Sequence, residues 1–321
     1  MKLISIVAIL SILFIIELIY FKIAASFNII DKPNARSSHS FVTLRGGGII
    51  FSLAAIIYFA LYGYQYPYFM VGLLGITVIS FIDDVLTLKN KIRLSIHLIA
   101  VLLMFYQWGL FDLNWYWIPV ALVFVIGTIN AYNFMDGING ITGSYSFLAI
   151  ATLYFINERI TSFTSSDFLI IVGLSLIVFN FFNFRKKAKC FAGDVGSVSI
   201  AFIIVFLVGQ LILKTENFNY ILLLLVYGLD AVATIGFRLI RNENIFEAHR
   251  SHFYQYLANE KKWSHLVVSG LYFFVQFVVN ILIVLFIKDS YVLAIGLVLS
   301  FGLLFLFVRF SMEGKRRLIG A

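Results

Sequence analysis

Residues 118–140 read IPVALVFVIGTINAYNFMDGING, an apolar run that ends in amides, one carboxylate and two glycines. No charged residue interrupts the run before Asp136. Polar side chains recur there at every third position: Asn130, Asn133, Asp136 and Asn139. An Asp at the centre of a membrane helix costs about 2.5–3.5 kcal/mol, so these groups indicate a site. We predict that they face the inside of a helix bundle, and that the glycines leave a loop free to approach a ligand.

The composition around this run excludes a soluble protein. The chain has 321 residues, of which 61% are hydrophobic and 12% charged, with a mean hydropathy of +0.97. A soluble domain has roughly 25% charged residues. The bilayer admits helices or closed barrels, and the apolar segments here are continuous rather than alternating. The sequence therefore predicts an all-α polytopic membrane protein. Its single cysteine, Cys190, rules out an internal disulfide.

We predict about eleven transmembrane helices within one domain that covers residues 1–321. A spanning helix needs about 20 mostly apolar residues. The first stretch is too long for the core of a signal peptide, so it is taken as a span. The predicted spans are 3–25, 46–63, 66–82, 93–109, 116–134, 141–157, 168–184, 195–213, 219–240, 264–287 and 290–310.

The basic residues predict the orientation. The loops after odd-numbered spans, together with the C-terminal tail, hold 20 of the 24 Lys and Arg residues. Cytoplasmic loops carry the excess of Lys and Arg. The N-terminus is therefore predicted outside and the C-terminus in the cytoplasm of a bacterium, with the protein in the inner membrane.

The net charge of +8 follows from this topology and does not indicate nucleic-acid binding. One cluster, at residues 185–189, has two interpretations. Its cations attract anionic lipid headgroups, or they serve an anionic substrate.

The candidate chemical groups gather on the predicted cytoplasmic side. Five loops, at about 26–45, 83–92, 134–140, 185–194 and 241–263, are predicted to form one active site. They contain Asp31, Arg36, His39, Asp83, Asp84, Asp136, Asp194, His249 and His252. Chance would scatter such residues over both faces.

Each motif alone has a plain structural interpretation. Asp83 and Asp84 are either a solvated helix end or a pair kept together by Mg²⁺, which prefers hard oxygen ligands. Asp194, in a glycine-rich turn, is either a helix N-cap or a group beside a phosphate at a helix N-terminus. His249 and His252 share a face if they lie on a helix.

The order of the motifs is more specific than its parts. It runs D-x-P-N-x-R-x-x-H at 31–39, R-G-G-G at 45–48, D-D at 83–84, N-x-x-N-x-x-D-G-x-N-G at 130–140, G-D-x-G-S at 193–197 and H-R-x-H at 249–252. This order resembles the polyprenyl-phosphate N-acetylhexosamine-1-phosphate transferases, and is most similar to the branch that starts O-antigen, enterobacterial-common-antigen and teichoic-acid chains. The resemblance covers residues 31 to about 257.

The resemblance implies transfer of a sugar-1-phosphate from a UDP-N-acetylhexosamine to undecaprenyl phosphate, with release of UMP. It implies Mg²⁺, with Mn²⁺ as the alternative, held by Asp194 and Asp84. The implied catalytic residues are Asp83, Asp84 and Asp136. The implied substrate-binding residues are Arg45, Lys89, Lys91, Asn130, Asn133, Asn139, His249, Arg250 and His252. The sugar, and a homodimer as the oligomeric state, are left open.

The chain departs from the family pattern at three places. Val42-Thr43-Leu44 stands where many members have Pro-Thr-Pro, and Asn139 stands where many have a second Asp. Asn139 is therefore taken as a pocket residue and not as a metal ligand. The H-R-x-H form, in place of a denser His cluster, points to the capsule and O-antigen branch.

Two other classes fit parts of the pattern. An intramembrane aromatic prenyltransferase also uses Asp and Mg²⁺, but it needs two D-x-x-x-D boxes, and the second box here is rich in Asn. A transporter or flippase places polar groups at broken helices near the midplane of repeated halves, whereas these groups gather at one face. Both readings stay open as alternatives.

Overall fold

The computed structural model describes residues 1–31, 41–86, 88–245, 247 and 249–320. Arg36 and His39, two of the predicted loop residues, lie outside the described residues. The helices are α1 (Leu3–Ser26), α2 (Ile49–Leu61), α3 (Pro67–Leu86), α4 (Asn90–Gln107), α5 (Trp117–Met135), α6 (Ile141–Arg159), α7 (Ser166–Asn183), α8 (Gly193–Thr215), α9 (Leu225–Ile240), α10 (Phe253–Asn259), α11 (His265–Ile281), α12 (Tyr291–Glu313) and α13 (Lys315–Ile319).

The prediction of an all-α polytopic membrane protein is confirmed. Within the described residues, eight helices are long and apolar enough to cross a membrane, and α2 is a shorter apolar helix. A helix lies at each of the eleven predicted segments, although α4 and α6 are not among those eight. The count of eleven membrane spans therefore stays a prediction.

Two of the long helices are irregular at one end. A 3₁₀ turn, Phe218–Leu224, leads into α9, and a π-helical turn, Leu282–Ile287, continues α11. With these turns included, both segments reach 23 residues, which is long enough to span a bilayer.

Helix α8 lies at the centre of the bundle, and nearly all of its residues from Gly193 to Ile212 are buried. It packs against α2, α3, α5 and α6. Glycines permit the closest of these contacts. A Cβ on Gly48 would lie 2.3 Å from the Cα of Gly196, so only glycine lets the start of α2 cross α8 backbone to backbone.

A short backbone junction holds the segment before α2 against the segment before α8. Strands β1 (Ile30–Asp31) and β2 (Thr43–Leu44) pair antiparallel, and Leu44 forms a bridge with Cys190. The N–H groups of Gly47 and Gly48 donate to the carbonyls of Phe191 and Ala192. The junction therefore places Arg45 beside the first turn of α8.

Candidate active site

Five side chains from four segments alternate in charge at one end of the bundle. They are Asp83, Arg93, Asp194, Arg45 and Asp84. Each contacts the next, and the peptide bond between Asp83 and Asp84 closes the circle, which we call the Asp–Arg ring. Three carboxylates and two guanidiniums leave the ring with one net negative charge.

Arg93 joins two carboxylates that lie far apart in the sequence. Its Nη1 is 2.7 Å from Asp83 Oδ2, and its Nη2 is 3.2 Å from Asp194 Oδ2. Asp83 is buried, and its other oxygen accepts the backbone N–H of Leu88 at 2.6 Å. A planar guanidinium suits this two-pronged contact better than a lysine does.

Asp84 fixes the start of α8. Its two carboxylate oxygens accept the backbone N–H groups of Asp194 and Val195, each at 3.0 Å. Arg45 Nε lies 2.7 Å from Asp84 Oδ1, and the Asp84 side chain is fully buried. The first N–H groups of a helix have no acceptor within the helix, and the Asp84 carboxylate is the acceptor for two of them. Asp194 lies in the first turn of α8, and the N-cap residue is Ala192.

Gly193 has a positive φ of +72° that permits this approach. A Cβ at Gly193 would lie 2.5 Å from Asp84 Oδ2 and 2.9 Å from the backbone N of Gly46. The glycines of R-G-G-G and G-D-x-G-S thus serve the close packing of the two segments.

Arg45 completes the ring. Its Nη2 is 3.4 Å from Asp194 Oδ1. Burial lowers the pKa of the Arg45 guanidinium, but the charges of Asp84, Asp194 and Asp31 outweigh that effect and hold its pKa above the ordinary value. Arg45 therefore stays cationic among the carboxylates.

Asp136 follows α5 and lies near the ring. Burial raises the pKa of Asp136 to about 7, and the charges of Asp194 and Asp84 act in the same direction. On the preceding turn, Asn133 Oδ1 accepts the Ser197 hydroxyl at 3.0 Å, which joins α5 to α8. The predicted inward orientation is thus confirmed for Asn133.

The prediction was wrong for Asn130, which is exposed. An α-helix turns about 100° per residue, so a spacing of three falls about 60° short of a full turn at every step. Polar positions spaced in this way drift around the helix. They cannot all face the same neighbour.

Asn139 is buried and anchors the segment before α8. Its Nδ2 donates to the carbonyls of Arg185 and Lys186, at 2.8 and 3.2 Å. Its backbone N–H donates to His265 Nδ1 at 3.3 Å, and its carbonyl accepts the Ser269 hydroxyl at 2.8 Å. Its Oδ1 has no partner among the described residues. An Asp here would have no proton to donate to the two carbonyls.

Lys89 and Lys91 are exposed at the start of α4. Arg93, one helical turn beyond Lys89, is the basic residue of α4 that reaches the ring. Arg93 is not among the site residues predicted from the sequence. Its side chain is 27% exposed. The sequence signal that could have identified Arg93 is its i to i+4 spacing from the predicted site residue Lys89, which places the two residues on the same side of a helix.

His249 and His252 are brought together in a loop and not on the face of a helix. Their rings lie 5.0 Å apart in a segment before α10, and His252 is the N-cap residue of that helix. Burial lowers the pKa of His249 to about 4. The His252 ring centroid is 6.1 Å from that of Phe134, next to Asp136 in the last turn of α5.

A large cavity, of about 1090 Å³, lies beside the ring. None of the five ring residues lines the cavity. Two of its lining residues, Leu44 and Phe191, adjoin the ring in sequence: Leu44 precedes Arg45, and Phe191 precedes the A-G-D turn. Its cationic lining residues are Lys186, Lys187, Lys189, Arg250 and Lys262. Lys187 Nζ also lies 4.6 Å from the centre of the Phe41 ring. The cavity thus offers positive charge and an aromatic surface next to carboxylates.

Parts of all five predicted loops therefore meet at one end of the bundle. Among the described residues, no three His, Cys, Asp or Glu side chains are arranged to hold a metal ion together.

Comparison with known proteins agrees with the geometry. Residues 66–212 match the glycosyl transferase family 4 model. The chain is 26% identical over 279 residues to the "Probable undecaprenyl-phosphate N-acetylglucosaminyl 1-phosphate transferase" of Bacillus subtilis. The aligned region covers 78% of this chain and 75% of the relative. It is 28% identical over 255 residues to the undecaprenyl-phosphate alpha-N-acetylglucosaminyl 1-phosphate transferase of Salmonella typhi, with 72% and 69% covered.

A second group of relatives also matches. The phospho-N-acetylmuramoyl-pentapeptide-transferase of Thermotoga petrophila is 26% identical over 228 residues, with 64% of this chain and 73% of the relative covered. The matched region contains the D-D, Asn-rich and G-D-x-G-S motifs, and these supply the carboxylates described above. The match of residues 66–212 and these relatives support the resemblance of the chain to glycosyl transferase family 4 and to its polyprenyl-phosphate N-acetylhexosamine-1-phosphate transferases.

Proposed function

We propose that the protein transfers N-acetylhexosamine-1-phosphate from a UDP-sugar to undecaprenyl phosphate, and so initiates a cell-surface polysaccharide such as O-antigen or capsule. In this reaction a P–O bond forms between an acceptor phosphate oxygen and the sugar-linked phosphorus. The bond from that phosphorus to UMP breaks, and UMP leaves. The observation that supports the proposal is the Asp–Arg ring beside a large cationic cavity.

The cavity suits the donor. A UDP-sugar carries a diphosphate, and the lysines and arginine that line the cavity provide the opposite charge. The volume of about 1090 Å³ slightly exceeds the usual range for ligand pockets, which is about 300–1,000 Å³. Arg250 and His249 would contact the diphosphate or sugar from the side of α10, and Asn133 and Asn139 would shape the wall near Asp136.

Asp83 is our choice for the residue that orients or deprotonates the acceptor phosphate. It is buried at the end of α3, and Arg93 holds one of its oxygens. The exposed lysines of α4, Lys89 and Lys91, would contact the acceptor phosphate from the surface of the membrane.

Mg²⁺, or Mn²⁺ in its place, fits this donor set. The two carboxylate oxygens of Asp194 lie 3.4 Å from Arg45 Nη2 and 3.2 Å from Arg93 Nη2, neither is bound by a backbone N–H of the described residues, and the side chain is 19% exposed. Asp84 instead has its oxygens engaged by two backbone N–H groups and Arg45. We therefore propose Asp194 as the principal ligand and Asp84 as the residue that orients it. When bound, the ion would offset the phosphate charges that otherwise repel donor and acceptor.

The proposed orientation in the membrane is inferred from the distribution of the Lys and Arg residues. We propose eleven spans, with the N-terminus outside and the C-terminus and the Asp–Arg ring on the cytoplasmic face of the bacterial inner membrane. The ring lies where α3 and α5 end and where α8 begins, at the end of the bundle to which the Lys- and Arg-rich loops belong.

The test uses the purified full-length protein with undecaprenyl phosphate and a panel of UDP-N-acetylhexosamines, beginning with UDP-GlcNAc. We expect release of UMP, formation of a lipid-linked product, arrest by EDTA and recovery with Mg²⁺. Asp194→Ala should abolish exchange while the protein still elutes as a folded species. If no UDP-N-acetylhexosamine yields UMP, the proposed reaction is wrong. If chelation leaves the rate unchanged, the metal has no place in it.

A further inference from the structure

A buried carboxylate on α9 accepts hydrogen bonds from its own helix and from two other segments, α11 and the start of α10. Asp230 is fully buried. It accepts the Tyr272 hydroxyl at 2.6 Å and the Thr234 hydroxyl at 3.1 Å. It also accepts the backbone N–H groups of Phe253 and Tyr254, at 3.0 and 3.3 Å. So many donors around two oxygens are typical of an ionised carboxylate, which can only accept.

His252 contributes a fifth contact. Its Nδ1 lies 3.3 Å from Asp230 Oδ1, and its side chain is 2% exposed. Because Asp230 can only accept, the hydrogen bond requires the proton on Nδ1. The other ring nitrogen, Nε2, is buried and has no partner among the described residues. A buried polar atom without a partner destabilises the fold, and a bound ligand would supply the missing partner.

A second group also faces His252. Helix α10 begins after it, and the capping box places the His252 side chain to accept the backbone N–H of Gln255, while the Gln255 side chain accepts the His252 N–H at 3.3 Å. If Nδ1 accepted the Gln255 N–H, its lone pair would point toward the Asp230 carboxylate as well. Two acceptors 3.3 Å apart repel, so the electrostatics favour the protonated Nδ1. The two arrangements differ in which ring nitrogen carries the proton.

A cation from α12 stabilises the ionised form of Asp230. Arg309 is 1% exposed, and its Nη1 lies 4.0 Å from Asp230 Oδ1. The same nitrogen donates to the Thr234 hydroxyl at 2.9 Å, and Nη2 donates to the Ser251 carbonyl at 2.9 Å. The guanidinium is therefore fixed on both sides, next to the residue that precedes His252.

The His252 ring lies against the end of α5. The Tyr254 hydroxyl donates to the Phe134 carbonyl at 2.9 Å. A Cβ on Gly137 would lie 2.2 Å from that hydroxyl, so the glycine lets the loop after Asp136 pack on Tyr254. The α10 segment is thus held beside Asp136, and His252 with it.

We propose that Asp230 is a positioning residue, which holds His252 in the Nδ1–H tautomer and so presents Nε2 to the sugar-phosphate donor. The contact with the donor rests on the proposed function. The tautomer does not, because it rests on the 3.3 Å contact between Nδ1 and Asp230 Oδ1, which outweighs the competing Gln255 N–H.

The tautomer is tested by long-range ¹H–¹⁵N correlation spectra of protein labelled with ¹⁵N-histidine, with His252→Asn used for assignment. We expect the pattern of a protonated Nδ1 in the wild type and its loss or mixture in Asp230→Asn. A wild-type ring protonated on Nε2 alone would overturn the proposal, and this readout needs no active enzyme.

Kinetics separate positioning from a merely structural role. Tyr272→Phe is the matched control, since it removes another hydrogen bond to Asp230 without touching His252. We expect Asp230→Asn to lower kcat by about 10- to 100-fold, the range for losing an orienting partner of a histidine, with KM nearly unchanged, and Tyr272→Phe to lower it far less. Equal losses in the two variants would contradict the positioning role.

Two substitutions of His252 give a test that does not depend on Asp230→Asn folding. A Gln amide reaches the place of Nε2, whereas an Asn amide reaches only that of Nδ1. We expect His252→Gln to retain more activity than His252→Asn. The reverse order would show that Nε2 is not the working atom. An inactive wild type would count against the proposed reaction, and the spectra would still decide the tautomer.

Discussion

Arg93 Nη1 lies 2.7 Å from Asp83 Oδ2 and thereby joins the first turns of α4 to the end of α3. The same guanidinium reaches Asp194 at the start of α8. A single side chain therefore sets the separation of two carboxylates from different helices, and its loss would change both.

We expect Arg93→Gln to lower turnover by about 100-fold, the size of effect seen when one preorganised charged partner is removed from an active site. Lys91→Gln should instead raise KM for the lipid acceptor, because Lys91 is exposed and outside the ring. Arg159→Gln, at the opposite end of the bundle, controls for the loss of a charge. Similar kcat values for Arg93→Gln and the Arg159 control would contradict the role of the ring.

Asp83→Asn should lose turnover by orders of magnitude while donor binding survives. The amide still accepts the Leu88 N–H, so the end of α3 keeps its shape, but it has no charge to orient the acceptor phosphate. Turnover is measured by UMP release, and donor binding by titration calorimetry with the UDP-sugar. Loss of donor binding in this variant would contradict the acceptor-side role of Asp83.

Asp84→Asn should act mainly on stability. An Asn side chain keeps one acceptor oxygen, so one of the two N–H groups of α8 loses its partner inside the protein, at a cost of about 1–3 kcal/mol. We expect a lower Tm for Asp84→Asn than for Asp83→Asn in the same detergent. Equal Tm values would show that the Asp84 carboxylate does not hold the start of α8.

Asn139→Asp, which installs the residue common among relatives, should be harmful here. The present amide donates to two carbonyls, and a carboxylate would face them with lone pairs only. We expect a loss of about 1–3 kcal/mol in stability and no gain in metal-dependent activity. The measurement is thermal unfolding together with the Mg²⁺ dependence of the rate. Increased Mg²⁺ affinity would identify residue 139 as a ligand position after all.

Asp136 should make stability depend on pH. Its pKa is raised to about 7 in the folded protein, against about 3.9 in an unfolded chain. The folded state therefore holds the proton more tightly, and stability falls as the pH rises from about 4 to about 7. Asp136→Asn should remove this pH dependence of the stability. The Tm of the variant relative to that of the wild type should therefore rise from about pH 4 to about pH 7 and then stay constant. A constant difference from pH 4 to pH 8 would contradict the raised pKa.

The positions of the helices could be predicted from the sequence more completely than the contacts of the site residues. Helix positions followed from long apolar runs, because a bilayer leaves the backbone few alternatives. The prediction for Asn130 was wrong because a spacing of three residues does not match the 3.6 residues per turn of an α-helix. The role of Asn139 as a structural anchor could not be predicted, because its partners are carbonyls from a segment 46 positions away.

The sequence by itself determined that this is a helical membrane protein, and it predicted that its acidic and basic motifs lie at one end and resemble one family. Composition, charge asymmetry and motif order are properties of the chain, and they need no coordinates. Only the tertiary structure decided that Arg93 belongs to the site, that Asp84 holds the start of α8, and that Asp230 faces His252. Those assignments depend on hydrogen bonds a few ångströms long between helices distant in sequence, and only the packing of the bundle sets such distances.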